Sequence, residues 1–350
     1  MSSALEQRPF GRTGEKVSVI GLGGAGLYKH SYDLGVATVK HALYLGVSYF
    51  DTSPAYGRAG ADGSWTDRGM SQLIMGEGLD GTTRPHLLAT KLINYTTDVR
   101  GSTSRSPVAA NPIGYRTVED CRAQLFDNLR ALRRDRVDVL LGHDMEKAKG
   151  WIPDAQDDDE LLDLDKDHDF ANATVIQALR EAKGQGLCRY IGLSSNWSAA
   201  LAHFLRRVEL DVCLSAGEYT LLDRRSPQTM LPVVREQGIP YVVGGIFKRD
   251  FGASDAASPF QLALKGPLAS VGALFSDERL IRLAKTTGIS IAALTVRYLI
   301  ANRELSTILV GASTPEEIEE NVVAAQAGPL PPDIHQALEG LHEEENIQEA

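Results

Sequence analysis

A chain of 350 residues, 43% hydrophobic and 23% charged, carries enough apolar mass for a large folded core. Its formal net charge of −10 repels phosphate backbones, so no nucleic acid partner is expected. No stretch approaches the roughly 18 apolar residues of a membrane span, and residues 1–9 lack the apolar run of a signal peptide. The expectation is a cytoplasmic protein with no membrane partner.

Taken in chain order, short β-branched runs alternate with longer amphipathic segments. A hairpin is expected around Gly11-Arg12-Thr13-Gly14, and Val17 to Leu22 reads as a strand that ends at Gly23-Gly24. Val36, Val39, Ala42 and Leu43 then fall at helical spacing, with a stop at Gly46. Val47 to Asp51 and His86 to Leu92 are the next strands. The helix beginning near Thr117 has the clearest stripe, formed by Val118, Cys121, Leu125, Leu129 and Leu132. Strand 137–141, helix 174–183, strand 188–193, helix 198–208 and strand 212–215 follow. The beat continues with helix 228–237, strand 241–243, helix 277–301 (broken near Gly288) and strand 306–310.

Eight strands separated by helices imply parallel pairing, because each return needs a crossover. The simplest closure is a (β/α)8 barrel spanning 1–350 as one domain, with an N-terminal β-hairpin. An open doubly wound sheet would require Gly-x-Gly-x-x-Gly after its first strand, and Gly21, Gly23, Gly24 and Gly26 fit that spacing poorly. Three long loops, 57–70, 94–116 and 144–171, follow strand C-termini, the face where barrel active sites form. The third is rich in aspartate. Without the glycine and closing glutamate of a calcium loop, it reads as a solvated lid. Cys121, Cys188 and Cys213 have no metal-ligand spacing and read as reduced, buried thiols, so no metal is expected.

Strand ends deliver ionisable groups to that same face. Asp51 closes Phe50-Asp51-Thr52-Ser53-Pro54-Ala55-Tyr56-Gly57, Lys91 closes Ala89-Thr90-Lys91, and His143 follows Leu140-Leu141-Gly142. Each residue alone has an ordinary structural explanation, as a turn cap, a surface group or a packing ring. Their occurrence on three successive strands is what points to chemistry. A lysine at the end of an apolar strand needs an anion, for which Asp51 is the candidate. An ammonium beside a phenol favours phenolate, which suits Tyr56 to proton transfer.

These segments, with Arg8-Pro9-Phe10-Gly11-Arg12-Thr13-Gly14, Ile191-Gly192-Leu193-Ser194 and Gly311-Ala312-Ser313 to Glu320-Asn321, resemble the aldo-keto reductase superfamily over nearly the whole chain. The resemblance implies a (β/α)8 barrel with a catalytic tetrad of Asp51, Tyr56, Lys91 and His143. It implies hydride transfer between nicotinamide and substrate carbon, with Tyr56 as general acid or base. Non-enzymatic relatives typically lack the histidine, so its presence favours an enzyme.

The same resemblance implies cofactor contacts at Gly24, Ser194, Asn196, Gly245, Phe247, Lys248, Gly311, Ser313, Glu317, Glu320 and Asn321. Ser194 and Asn196 would hold the carboxamide, although Ser194-Ser195-Asn196 departs from the usual Ser-Asn by one residue. Thr314, Pro315 and Glu317 form a capping box that explains the last helix start without a cofactor. Residues 309–321 contain neither Lys nor Arg to hold a 2′-phosphate, so NAD is preferred over NADP, with Lys248-Arg249 as the reservation.

Residues 216–223 and 242–247 are similar to the branch of sugar 1-dehydrogenases and pyridoxal 4-dehydrogenase, which implies oxidation of an aldose hemiacetal to a lactone. The alternatives are an NADPH-dependent aldehyde or ketone reductase, and a nicotinamide-sensing subunit without turnover. Either a monomer or a homo-oligomer is compatible with the sequence. Tyr28, Trp65, Trp151 and Trp197 follow strand ends; together they would offer a platform for an apolar sugar face, while each taken singly reads as a ring that pins its own loop.

Overall fold

The computed structural model describes residues 4–57, 69–93, 115, 117–146, 162–166, 168–247, 274–275 and 277–348. The apolar runs at strand spacing become β3 (Ile20–Gly23), β4 (Tyr49–Asp51), β5 (Leu87–Leu92), β6 (Val137–Gly142), β7 (Cys188–Ser195), β8 (Val212–Ala216), β9 (Tyr241–Gly244) and β10 (Thr307–Gly311). All pair in parallel and close into a barrel in the order β10-β3-β4-β5-β6-β7-β8-β9. The runs are mainly apolar because both faces are covered, one by the barrel interior and the other by helices.

Before the barrel, β1 (Gln7–Pro9) and β2 (Lys16–Ser18) form the expected antiparallel hairpin. Phe10 and Val17 from this hairpin are fully buried among Tyr49, Leu87, Val139, Val212, Val242 and Leu309, so the hairpin plugs the N-terminal end of the barrel. The described helices are α1 (Tyr32–Tyr44), α2 (Met70–Gly78), α3 (Val118–Ala131), α4 (Thr174–Gly184), α5 (Ser198–Leu205), α6 (Arg225–Gln237), α7 (Glu278–Thr287), α8 (Ile291–Leu299), α9 (Pro315–Gln326) and α10 (Pro332–Gln348). Cys121, Leu125 and Leu129 of the predicted stripe are buried against the sheet, and Thr117 caps α3 by accepting from the Asp120 N–H. The three cysteines are buried free thiols. No described helix is long and apolar enough to cross a membrane.

Several boundaries differ from the sequence expectation, for local reasons. The run Val17 to Leu22 is two strands, not one. Val19 is the hand-over point: its N–H donates to Glu6 O in the hairpin, while its carbonyl accepts from Ile308 N in β10. Strand 47–51 shortens to begin at Tyr49, because Val47 N closes the end of α1 by donating to Ala42 O. The break near Gly288 is a real helix end. Gly288 there adopts φ 68°, the left-handed conformation that glycine enters without a Cβ clash.

Candidate active site

Side-chain alternation along the strands, anchored by the interior cluster, fixes which residues face inward at the C-terminal mouth. Tyr49 faces in, so Asp51 does too; Ala89 and Leu141 carry Lys91 and His143 to the same end. The remaining inward positions are Gly23, Ser194, Ala216, Gly244 and Gly311. One arc of the mouth is therefore ionisable, and the opposite arc is almost bare of side chains.

On the ionisable arc, Lys91 is 1% exposed and donates from Nζ to Asp51 Oδ1 at 2.5 Å and to Thr52 O at 2.9 Å. Burial pushes the Asp51 carboxyl above its ordinary range, against the pull of Lys91. Burial likewise holds the Lys91 ammonium below its usual value, against the pull of Asp51. Both charges are thus poorly solvated and depend on each other. The second oxygen, Asp51 Oδ2, has no hydrogen-bond partner among the described residues.

Tyr56 sits in the turn after β4, fixed through its own backbone. Its N–H donates to Ser53 O at 3.1 Å, and its carbonyl accepts from Ser71 N at 3.3 Å. Its ring packs on Ala55 and Ile93 and lies 5.0 Å, centroid to Nζ, from the Lys91 ammonium. The His143 ring meets it edge-on, with centroids 5.9 Å apart and planes at 83°. The histidine is itself held between Ser53 Oγ, 3.3 Å from Nδ1, and Asp144 Oδ1, 3.5 Å from Nε2. The four predicted residues therefore converge on one mouth.

Residues that sequence reasoning did not single out hold this set in place. From α3, Asn128 Nδ2 donates to Lys91 O at 2.9 Å, and Gln124 brackets Ile93 by bonding both its N–H and its carbonyl. The buried Tyr115 phenol donates to Leu92 O at 2.7 Å and accepts from His143 N at 3.0 Å, tying the ends of β5 and β6 together. Ser53 and Glu146 complete the group. A lone hydroxyl, phenol or carboxylate in a loop gives no periodic signal, so only the tertiary contacts identify them.

Among the residues expected to contact a cofactor, Ser194 Oγ donates to Gly142 O at 3.1 Å; its neighbour Ser195 Oγ, on the opposite face of β7, donates to Glu146 Oε2 at 2.6 Å. Asn196 follows directly, with Nδ2 bonded to Glu146 Oε1 and Asp144 Oδ1. Gly24 opens a short 3₁₀ turn and accepts from Ser71 Oγ at 2.9 Å; a Cβ there would lie 2.3 Å from that oxygen, so packing alone requires the glycine. Gly245 adopts φ 62°, and Phe247 packs half-buried beside Phe275.

Thr314 caps α9 as expected, accepting from Glu317 N. The Glu317 carboxylate reaches one residue further back than a capping box would, accepting from both Ser313 N at 2.7 Å and Ser313 Oγ at 2.9 Å. Asn321 donates to Glu317 O at 2.7 Å, and the exposed Glu320 accepts from Ser290 Oγ at 3.2 Å. Lys248, Arg249, Trp65 and Trp151 lie outside the described residues, as does most of the three long loops. The start of the third loop departs from the solvated-lid expectation, since Glu146 is 0% exposed. Among the described residues no group of three His, Cys, Asp or Glu could hold a metal.

A sequence model of the aldo/keto reductase family matches residues 19–343. The chain belongs to the aldo/keto reductase family. The L-galactose dehydrogenase of Arabidopsis thaliana is 28% identical over 342 residues, covering 91% of this chain and 88% of that one. The pyridoxal 4-dehydrogenase of Microbacterium luteolum is 25% identical, covering 91% and 93%. An aldo-keto reductase of Bacillus halodurans, in its holo form, superposes with a TM-score of 0.66 at 22% identity over 97% of this chain and 96% of that one, a likeness of fold.

This aldo/keto reductase is an oxidoreductase, and its family uses a nicotinamide cofactor. The mouth fits such a group. A Cβ added at Gly23 or Gly244 would meet nothing nearer than 3.5 Å, and one at Gly311 would meet nothing within 4 Å. The protein's own packing does not demand glycine at these positions, so they leave room for a flat ring opposite Tyr56 and His143.

Proposed function

We propose that this aldo/keto reductase oxidises a cyclic hemiacetal, an aldose, to its lactone with NAD. The observation that carries the reading is the Tyr56 ring held beside the Lys91–Asp51 pair with His143 against its face. An ammonium near a phenol stabilises the phenolate, which makes Tyr56 Oη a base for the anomeric hydroxyl. As that O–H bond breaks, the C–H bond on the same carbon gives up its hydride and the lactone C=O forms. A bound nicotinamide supplies the hydride acceptor at its ring C4. His143 orients the substrate oxygen, and buried Lys91 holds positive charge beside the phenolate that Asp51 in turn balances. Ser194, Asn196, Gly245 and Phe247 would hold the nicotinamide and pyrophosphate side of the cofactor, and Gly311, Ser313, Glu317 and Asn321 would hold its adenosine side.

The preference for NAD rests on α9. A helix N-terminus is a natural phosphate site, but here the Glu317 carboxylate already occupies the Ser313 donors. Glu316, Glu319 and Glu320 stand nearby in a stretch without Lys or Arg, and they would repel a 2′-phosphate. The two relatives named above are dehydrogenases by name, which favours the oxidative direction.

The test is a panel of aldoses, L-galactose among them, assayed with NAD and NADP by the absorbance of the reduced nicotinamide. At least one aldose should turn over, with kcat/KM for NAD about tenfold or more above NADP, a difference of ~1.4 kcal/mol. Reduction of simple aldehydes by NADPH, with no aldose oxidised, would replace this reading with a carbonyl reductase. Cofactor binding without turnover on either panel would indicate a sensing subunit.

A further inference from the structure

One buried titratable side chain at this mouth takes no part in the proton transfer described above. Glu146 lies in the turn after β6 and is fully buried. The turn is sharply bent: Asp144 adopts φ 53°, in the left-handed region that non-glycine residues rarely enter. Met145 N donates to Ser194 O at 3.2 Å and Leu162 N donates to Glu146 O at 2.9 Å, which hold the bend. The bend sends the Glu146 side chain to the end of β7. There Oε2 accepts from Ser195 Oγ at 2.6 Å and from Asn196 N at 3.3 Å, while Oε1 accepts from Asn196 Nδ2 at 3.0 Å. Asp144 Oδ1 accepts from the same Nδ2 at 3.2 Å.

A primary amide has two N–H donors and one carbonyl acceptor. Glu146 and Asp144 take both Asn196 donors. The flipped amide would set its carbonyl against two carboxylates, so the orientation is determined by charge. Asn196 Oδ1 is then turned away from both acids and can only accept. The complementary ligand group is an N–H donor beside the bare arc of the mouth. The carboxamide of nicotinamide carries that group.

We infer that Glu146 is a positioning residue that fixes Asn196 as an acceptor for the carboxamide N–H, and that Asp144, shared between Asn196 and His143, joins this carboxamide clamp to the proton-transfer side of the mouth. The inference rests on the nicotinamide reading of the site but not on the aldose. Burial, with the Asp144 charge second, pushes the Glu146 carboxyl up to about 7. Among the described residues, the groups facing it are Asp144 from its own turn, the uncharged Ser195 and Asn196 from β7 and the segment after it, and the Tyr115 phenol. Asp144 in turn faces His143 and Lys91. Below that pH Glu146 gains a proton, one acceptor becomes a donor, and its hold on the Asn196 amide weakens.

Calorimetric titration of the full chain with NADH and, separately, with ADP-ribose tests this. ADP-ribose keeps the adenosine and pyrophosphate contacts and lacks the carboxamide. Glu146→Gln should weaken NADH about tenfold, the scale of one hydrogen bond to a charged group, and leave ADP-ribose unchanged. The double variant carrying Glu146→Gln and Asn196→Ala should bind NADH no more weakly than Asn196→Ala alone. In the wild type, which requires no variant to fold, NADH affinity relative to ADP-ribose should fall as pH drops from about 8 to about 6. Equal weakening of both ligands in Glu146→Gln would assign Glu146 to structure only. Unchanged NADH affinity in that variant, or a level wild-type ratio across this range, would also overturn the inference. The readout is binding, so failure of the aldose panel leaves it standing, and its own failure leaves the hydride-transfer reading intact.

Discussion

Tyr56→Phe is expected to lower kcat/KM by about 10²–10⁴-fold, the range that general acid–base catalysis supplies, while NADH affinity stays at its wild-type value. Phenylalanine keeps the ring that packs on Ala55 and Ile93 and faces the Lys91 ammonium. The backbone bonds to Ser53 and Ser71 do not involve the side chain. Stability should therefore change by no more than about 1 kcal/mol, the scale of one lost hydrogen bond, and the lost rate can be attributed to the missing hydroxyl. Steady-state kinetics with the best aldose, together with NADH fluorescence titration, would measure both quantities. A variant that keeps kcat/KM within tenfold of wild type would remove Tyr56 from the chemistry. Loss of NADH affinity in parallel with rate would instead make Tyr56 a binding residue.

The positions of Asp51, Lys91 and His143 were legible because each stands at or just past the C-terminal end of a mainly apolar run. Such a run becomes a strand covered on both faces, and a polar residue at its C-terminal end has only the mouth to occupy. The same continuity concealed the corner at Val19. Hairpin and barrel strand are both buried there, so hydrophobicity does not fall where the chain changes partners. Asn196 shows another limit. The sequence has one serine more than the familiar Ser-Asn pair, and periodicity does not tell which serine is the extra one. Strand register does: Ser194 faces inward and bonds Gly142, whereas Ser195 faces outward and bonds Glu146. Glu146 was hidden by composition. It stands at the head of an aspartate-rich loop whose charge pattern signals solvent. Its burial is created only when β6 and β7 pair and bring the turn at 144–146 under Ser195 and Asn196. Tyr115 was hidden likewise, since the strand ends it bridges become neighbours only through the β5–β6 ladder.

Lys91→Met should have the largest combined effect on activity and stability, with a pH dependence that identifies the cause. Methionine fills most of the lysine stem's volume but removes the cation. Asp51 is then left buried in the barrel, with Oδ1 unpaired and Oδ2 already without a partner among the described residues. Breaking a buried pair in this way costs about 3–5 kcal/mol when the remaining charge persists. The protein can escape by protonating Asp51, whose carboxyl burial already pushes upward, and without Lys91 that push is unopposed. An acid with a raised folded pKa contributes stability that is present below its unfolded value and lost as pH rises through the folded one. The deficit of Lys91→Met relative to wild type should therefore be small near about pH 4 and approach the full ~3–5 kcal/mol near about pH 8. Adding Asp51→Asn removes the stranded charge. The double variant should be more stable than Lys91→Met by about 2 kcal/mol or more near neutrality, because neutral replacements for a buried ion pair are often tolerated. Activity should not follow stability: both variants lack the ammonium beside Tyr56 and should lose about 10²–10⁴-fold in kcat/KM. Guanidinium unfolding across this pH range, alongside kinetics at one pH, separates the two roles. Wild-type activity in Lys91→Met would show that the ammonium does not tune the phenol. A double variant no more stable than the single at any pH would show that Asp51 is not the stranded charge.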